Sequence, residues 1–156
     1  MKLCLLCVGR LSLKYLREGA ADFEARIQRY MPLRIVELKE EKGGKSDPVF
    51  IRRQEGRRIL DRISDGAFVV ALDEKGRSFS SEGLAALLEQ HMLQSTTELT
   101  LIIGGAYGLC EDVKKRADLL LSLSEMTLTH QMARLLLLEQ LYRGFTIVRN
   151  EPYHNR

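Results

Sequence analysis

Continuous apolar runs that alternate with longer segments of helical spacing constrain the fold of this chain more than any other feature. The runs at 3–8 and 67–73 lack the polar alternation of a half-exposed strand. Strands that are apolar on both faces are typical of a parallel sheet covered by helices on both sides. Five strand-then-helix units in a row predict an α/β fold with a mostly parallel sheet of five or six strands.

The boundaries of the predicted elements follow from these patterns. We expect strands at 3–8, 33–39, 67–73, 98–103 and 119–123. A first helix should place Leu16, Ala20, Phe23, Ile27 and Tyr30 on one face and end before Pro32. Further helices are expected at 49–63 after Pro48, at 80–93 with Ser80 as N-cap, at 110–117 and at 131–148. The segment EEKGGKSDP at 40–48 is predicted to be a loop, and EKGR at 74–77 a turn.

Length and composition favour one soluble domain spanning residues 1–156, in the cytoplasm. The N-terminus lacks the pattern of a signal peptide, and no run approaches the roughly 18 apolar residues that cross a membrane. The net charge of +3 allows a nucleic-acid partner without requiring one. Five arginines lie between residues 52 and 62, and they fit a solvated helix face or a contact with RNA.

The three cysteines do not predict a redox or metal site. Cys4 and Cys7 form a CxxC pattern within an apolar strand, where positions three apart point to opposite faces. A second Cys or His pair at zinc-site spacing is absent from the sequence, so we expect core cysteines and no metal. His91 lies in a predicted helix and is expected to be structural.

The glycine loop, GGAYG at 104–108, directly follows a buried strand. It matches neither the phosphate-binding P-loop nor a dinucleotide fingerprint. Glycines serve tight turns or let the main chain approach another group closely, and ligands of parallel sheets bind beyond the carboxyl ends of the strands. The sequence therefore places a candidate ligand loop at this edge of the sheet.

A second loop, residues 122–129, is rich in hydroxyl groups: Ser122, Ser124, Thr127 and Thr129. The hydroxyls could serve strand-end and helix-cap bonding. Alternatively, the amides and carbonyls of this loop could grip an adenine and a ribose.

Several separated motifs resemble the ribosomal RNA large subunit methyltransferase H family, a branch of the SPOUT methyltransferases. They are KLCLLCVGR, EGRRIL, VVALDEKGRSFSSEGLA, LTLIIGGAYGL and LLLSLSEMTLTHQMARLLLLEQLYRGFTIVRNEPYH. The resemblance covers the chain from end to end. It implies a C-terminal trefoil knot, a homodimer and S-adenosyl-L-methionine as methyl donor. It also implies, as substrate, ring nitrogen N3 of a pseudouridine in 23S ribosomal RNA of assembled ribosomes.

The resemblance also implies the site residues. The cofactor-binding residues transferred by motif are Leu72, Gly104, Leu123, Ser124, Glu125, Met126, Thr127 and Leu128. Arg143, Tyr153 and His154 are the catalytic candidates, with His154 as candidate base for the acceptor nitrogen. Read by itself, a tail beyond the last helix is more often frayed and inert.

The sequence leaves two functions of different classes. One is the methyltransferase; the other is a non-catalytic α/β module that binds RNA or a nucleotide through the basic helix and the glycine loop. The hydroxyl-rich loop favours the methyltransferase, because a simple RNA binder does not need two ligand loops at one edge of the sheet. The run Leu135 to Leu138 makes the last helix apolar around most of its circumference, which predicts a homodimer contact there.

Overall fold

The computed structural model describes residues 1–43, 45 and 47–155, and it confirms the strand-then-helix alternation. The strands are β1 (Lys2–Val8), β2 (Leu33–Leu38), β3 (Phe68–Ser78), β4 (Glu98–Ile103) and β5 (Leu119–Ser122). The helices are α1 (Lys14–Ile27), α2 (Pro48–Leu60), α3 (Ser81–Leu93), α4 (Glu111–Arg116) and α5 (His130–Val148).

The five strands form one sheet in the order β2-β1-β4-β3-β5, and all four neighbouring pairs are parallel. The predicted α/β class is thereby confirmed, and of the predicted five or six strands the sheet has five. The order puts β4 beside β3, and β3 beside β5, so the loops after these three strands meet at one edge. The trefoil knot stays a prediction from the resemblance.

Both faces of the sheet are covered. Cys7 packs with residues of α1, α3 and α5 on one face, whereas Cys4 packs with residues of α2 and α4 on the other. The expectation that the two cysteines point to opposite faces is therefore confirmed. Burial raises the pKa of the Cys7 thiol to about 12, so this sulfur remains protonated and behaves as a core group.

The predicted turn at 74–77 is wrong. β3 continues through this segment to Ser78, and its pairing with β5 shifts register between Leu72 and Arg77. The strand therefore bulges around Lys75 and Gly76 instead of ending. A Cβ at Gly76 would lie 2.7 Å from the main chain of Leu120, which explains the glycine at this point of the bulge.

Helix ends differ from prediction by a few residues. α1 ends at Ile27, so Tyr30 lies in the turn before Pro32. α2 ends at Leu60 rather than at residue 63. Ser80 caps α3 as predicted, because its hydroxyl accepts a hydrogen bond from the Gly83 amide at 3.0 Å.

The described residues of the predicted loop at 40–48 form no strand, and helix α2 begins at its last residue, Pro48. Residues 44 and 46 of that prediction lie outside the described residues. None of the helices described has the length and apolar character that a membrane crossing requires.

Candidate functional site

A cleft of about 720 Å³ lies beyond the carboxyl ends of β3, β4 and β5, and we call it the cofactor cleft. Seven of the eight residues predicted to bind the cofactor line it: Leu72, Gly104, Leu123, Ser124, Met126, Thr127 and Leu128. Glu125 does not line the cleft, although its two neighbours do. Ligand sites for small molecules fall in the range of about 300–1,000 Å³, so the cleft has a suitable size.

The glycine loop is a tight turn whose glycines have different causes. Gly108 has a φ of +80°, and the Gly108 amide donates to the Gly105 carbonyl at 3.0 Å. A Cβ at Gly104 would lie 2.9 Å from the carbonyl carbon of Gly108 and from a methyl of Leu109. We expected Gly104 to leave room chiefly for the cofactor, but the immediate crowding comes from the loop itself.

A buried carboxylate lies against the glycine loop. A Cβ at Gly105 would be 2.9 Å from Oε1 of Glu55, which is on α2 and is 4% exposed. Oε2 of Glu55 accepts a hydrogen bond from the Glu41 amide at 3.2 Å, whereas no described residue donates to Oε1. Burial raises the pKa of Glu55. Sequence reasoning missed this residue, because Glu55 looks like an ordinary member of a charged helix.

The hydroxyls of the second loop are used to fix the loop itself. Ser122 donates to the Ser124 carbonyl at 3.0 Å, and Ser124 accepts from the Met126 amide at 3.0 Å. Thr129 caps α5 by accepting from the Met132 amide at 3.1 Å. The structural role of these groups is thus confirmed, and the peptide groups of the loop remain the groups that can face a ligand.

Two side-chain contacts tie β3 to the other walls of the cleft. The Thr127 hydroxyl donates to the Glu74 carboxylate at 2.9 Å, which joins β3 to the hydroxyl-rich loop. Asp73 forms an ion pair with Lys114 of α4 at 2.9 Å. This hydrogen-bonded ammonium lowers the pKa of Asp73. No local sequence pattern predicts these pairs, since their members are 53 and 41 residues apart.

The three catalytic candidates come together in a second place. Arg143 Nε donates to Glu139 at 3.1 Å, and the Tyr153 hydroxyl donates to the same Glu139 oxygen at 3.0 Å. His154 lies between Arg143, at 3.3 Å from Nδ1, and Glu82 of α3, at 3.0 Å from Nε2. We call these five residues the tail cluster.

The tail cluster defines the hydrogen-bonding state of its members. Because a guanidinium can only donate, Nδ1 of His154 accepts from Arg143, and Nε2–H donates to Glu82. Burial and the bond to Glu139 raise the pKa of Tyr153, so the phenol keeps its proton at neutral pH. His154 can therefore act as a base only after a partner of Nδ1 or Nε2 is exchanged.

Taken by itself, the sequence favoured a tail without contacts, but the tail packs against α5. Tyr153 packs edge-on against Tyr142 with ring centroids 4.7 Å apart, and the Arg143 guanidinium lies over the Tyr153 ring at 4.7 Å. None of Arg143, Tyr153 and His154 lines the cofactor cleft of its own chain. Sequence reasoning missed Glu82 and Glu139, whose carboxylates are ordinary helix-surface groups by pattern.

His91 is structural, as expected. The residue is 5% exposed, its ring packs against Phe68 at 4.2 Å between centroids, and Nδ1 lies 2.9 Å from the Thr96 hydroxyl. His130, which sequence reasoning did not single out, lines the cofactor cleft at the start of α5.

A parallel sheet with two ligand loops at the carboxyl edge of β4 and β5 defines an α/β protein with a cleft for a small molecule. The family model described as "Predicted SPOUT methyltransferase" matches residues 1–154, and the chain belongs to that family. Within it, the chain is 81% identical over 156 residues to the ribosomal RNA large subunit methyltransferase H of Syntrophotalea carbinolica, with 100% of both chains covered. It is 46% identical to the protein of the same name from Pelobacter propionicus, over 99% of this chain and 100% of that relative.

Solved structures show the same fold at low identity. A methylase family protein from Neisseria gonorrhoeae aligns with a TM-score of 0.57 at 12% identity, covering 99% of this chain and 86% of the other. A methylase family protein from Haemophilus influenzae aligns with a TM-score of 0.52 at 14% identity, over 99% and 70% of the two chains. These likenesses speak for the fold alone.

Proposed function

We propose that this chain transfers the methyl group of S-adenosylmethionine to ring nitrogen N3 of a pseudouridine in large-subunit ribosomal RNA. We propose further that each chain forms one domain over residues 1–156 and that two chains form a homodimer. The substrate RNA is presented within the assembled ribosome. The observation that carries the proposal is the convergence of seven predicted cofactor residues on one cleft, in a chain 81% identical to a ribosomal RNA methyltransferase. A cytoplasmic location remains a prediction from the sequence.

The residues of the cleft fit the cofactor. Leu72, Leu123 and Leu128 supply apolar walls suited to an adenine, while the two loops offer peptide groups for its polar edge. Met126 lines the same cleft and is 77% exposed, so its flexible side chain can cover a bound molecule. When bound, S-adenosylmethionine supplies a methyl group activated by a sulfonium cation. The chain then contributes mainly positioning.

The acceptor nitrogen must lose a proton, and the tail cluster holds the groups suited to that task. His154 is the candidate base, Arg143 can hold a phosphate, and Tyr153 offers a neutral donor and a ring for stacking. The cluster lies outside the cleft of its own chain, so the proposal requires a second chain to carry the tail to the cleft. Each active site would then draw on two chains.

The last helix supports a homodimer in a narrower way than the sequence implied. Leu137 and Leu138 are fully buried within the chain, and Leu135 packs against Gly19 of α1. Met132 and Leu136, one turn apart, remain 40% and 36% exposed. This small apolar strip is the part of the run of leucines available to a partner.

Light scattering at micromolar concentration tests the dimer. The parent should show twice the chain mass of 17.8 kDa. A Leu136→Asp change should weaken the association, whereas Leu93→Asp, at a leucine that is 79% exposed, serves as the matched control. A parent that is monomeric at this concentration contradicts the dimer and, with it, the active site made from two chains.

Two measurements test the reaction. Calorimetry should detect binding of S-adenosylmethionine to the parent protein, and its absence would favour the non-catalytic RNA-binding module. Ribosomes from a strain that lacks the protein should then gain one methyl group at N3 of a 23S pseudouridine, as read by mass spectrometry of the RNA. Naked 23S RNA is the control substrate, because methylation of it at the same rate would contradict the requirement for the assembled ribosome.

A further inference from the structure

Tyr107 and the first turns of α2 leave an unexplained surface at the mouth of the cofactor cleft. Tyr107 is 50% exposed at the tip of the glycine loop, and Val49 on α2 is 47% exposed; both line the cleft. Arg52 and Arg53 line it as well. We define these four residues as the landing surface.

Tyr107 lies half-exposed in a hydrogen-bonded turn. The Gly105–Gly108 hydrogen bond closes the turn, and Arg52 Nη1 lies 3.5 Å from the Tyr107 carbonyl, which links the turn to α2. No hydrogen bond joins the Tyr107 hydroxyl to another described residue. About half of Tyr107 remains exposed, so its ring is available to a ligand.

The charges around the cleft are divided between its walls. Arg52 and Arg53 come from α2, and Arg57, one turn beyond Arg53, is also exposed. None of these three arginines forms an ion pair with a described residue, whereas Arg58 pairs with Glu41. The wall formed by β3 and α4 carries both signs, because Asp73, Glu74, Glu111 and Asp112 stand there beside Lys75 and Lys114, and Lys114 pairs with Asp73. A polyanion is therefore attracted more strongly to the α2 side, whose lining charges are all positive, than to the mixed side.

We infer that the landing surface binds ribosomal RNA beside the target nucleotide, with one base stacked on Tyr107 and the adjoining phosphates on Arg52 and Arg53. An aromatic ring next to guanidinium groups that have no ion-pair partner suits single-stranded RNA, because every base has a stacking face and every nucleotide a phosphate. Arg57 lies on α2 about 6 Å from Arg53, since residues four apart on a helix are neighbours, so it can contact the next phosphate of the same RNA strand. This inference rests on the proposed function and adds the part of the site that holds the RNA.

Photocrosslinking tests the contact directly. A benzophenone amino acid placed at Tyr107 should crosslink to 23S RNA when the protein is mixed with ribosomes from cells that lack it. Tyr15, which is 64% exposed on α1, is the matched control and should give no such RNA crosslink. A crosslink from position 107 to ribosomal protein alone, or no crosslink from a variant that still methylates, overturns the inference.

Kinetics provide the second test if the crosslinking variant does not fold. Tyr107→Ala should raise the KM for ribosomes by about tenfold, which is within the range for one stacked base. Tyr107→Phe should restore the parental KM, and Tyr15→Ala should keep it. The affinity for S-adenosylmethionine should stay within about twofold of the parent; an equal loss there assigns Tyr107 to the cofactor pocket and overturns the inference.

Salt dependence isolates the arginines. Arg53→Gln should weaken ribosome binding and reduce the slope of log affinity against log salt by about one phosphate contact. An unchanged slope contradicts a phosphate contact at Arg53. If the parent neither binds S-adenosylmethionine nor methylates ribosomes, the proposed function fails, while the crosslink still reports on the landing surface. If the parent methylates and Tyr107→Ala has the parental KM, the inference alone fails.

Discussion

The cofactor cleft is shaped by two loops whose hydrogen bonds close within each loop, whereas the tail cluster is held together by bonds between side chains that are distant in sequence. In the cleft, glycines and local hydrogen bonds of serine hydroxyls determine the path of two loops. The peptide groups of the loops and the leucine side chains are the surfaces offered to a ligand. In the tail cluster, Glu139 and Glu82 hold Arg143, Tyr153 and His154 through hydrogen bonds of about 3 Å. The cleft is thus complete in shape within one chain. The tail cluster is complete in bonding but lies outside the cofactor cleft of its own chain.

This difference has a mechanistic consequence. The bonds that shape the two loops lie within the loops themselves, so a ligand can enter the cleft without breaking them. The tail residues must give up at least one existing partner before they can touch a substrate. Binding and chemistry should therefore respond to different substitutions, and the predictions below test that separation.

The largest effect should come from the tail. We expect the double change Tyr153→Ala with His154→Ala to lower methyl transfer to ribosomes by about 10²-fold or more, because a positioned general base contributes about 10²–10⁴-fold. Calorimetry should show S-adenosylmethionine affinity near the parental value, since neither residue lines the cleft of its own chain. Single-turnover transfer to ribosomes measures the chemical step.

The single change His154→Gln keeps the fold in that test, because the Tyr153–Tyr142 ring contact remains. Parental transfer by this variant would mean that the base lies elsewhere. A loss of cofactor affinity would instead assign the tail to a cover over the cleft.

The second effect concerns the glycine loop. Gly104→Val should weaken S-adenosylmethionine binding by tenfold or more, because overpacking costs about 1–3 kcal/mol. The Cβ would meet the main chain of Gly108, so the loop must change its path, and the leucine walls should lose their arrangement with it. Gly83→Ala, at a helix start where the nearest atom is 3.3 Å away, is the control. A folded Gly104→Val protein with parental affinity would show that the loop does not shape the cofactor site.

The sequence could predict the cleft far better than the tail cluster, and the reason is physical. The apolar run before Gly104 and the parallel order of the strands place the glycine loop at a ligand edge, and the motif resemblance supplied the remaining cleft residues. The partners of the tail are charged groups on helix surfaces, and Glu82 is 72 residues away from His154. No local pattern distinguishes such a carboxylate from a solvated one.

The bulge in β3 shows a similar limit. EKGR has the composition of a turn, but β5 offers it a continuing edge, and pairing across the sheet outweighs the local preference. The burial of Glu55 could not be predicted from the sequence either, because it depends on the glycine loop packing over α2.

A smaller effect should follow from removing the hydrogen bond between Thr127 and Glu74, which joins the hydroxyl-rich loop to β3. Glu74→Ala removes the acceptor of the Thr127 hydroxyl and should weaken S-adenosylmethionine binding by about threefold to tenfold, from a hydrogen bond worth about 0.5–1.5 kcal/mol. Thr127→Val should have a similar effect, and the double variant should be no weaker than either single one. Glu89→Ala, on the exposed face of α3, is the control. Additive losses would show that the two residues act on the cofactor independently.

The smallest effect contrasts the buried carboxylate of Glu55, which lies against the glycine loop, with the hydrogen-bonded carboxylates of the tail cluster. Burial raises the pKa of Glu55 above its ordinary value of 4.5, and no described residue donates to Oε1. Below pH 4.5 the folded and unfolded states both carry the proton. As pH rises above that value, the unfolded chain ionises first, so the folded state loses stability through the interval up to its raised pKa. Glu55→Gln removes this loss. We expect the unfolding free energy of the parent to fall relative to that of the variant as pH rises from 4.5 toward neutrality, as measured by urea titration. Glu89→Gln should leave the parental pH dependence intact. Parallel pH profiles for the parent and Glu55→Gln would mean that the carboxylate under the glycine loop is solvated, and that the loop leaves water a path beneath Gly105.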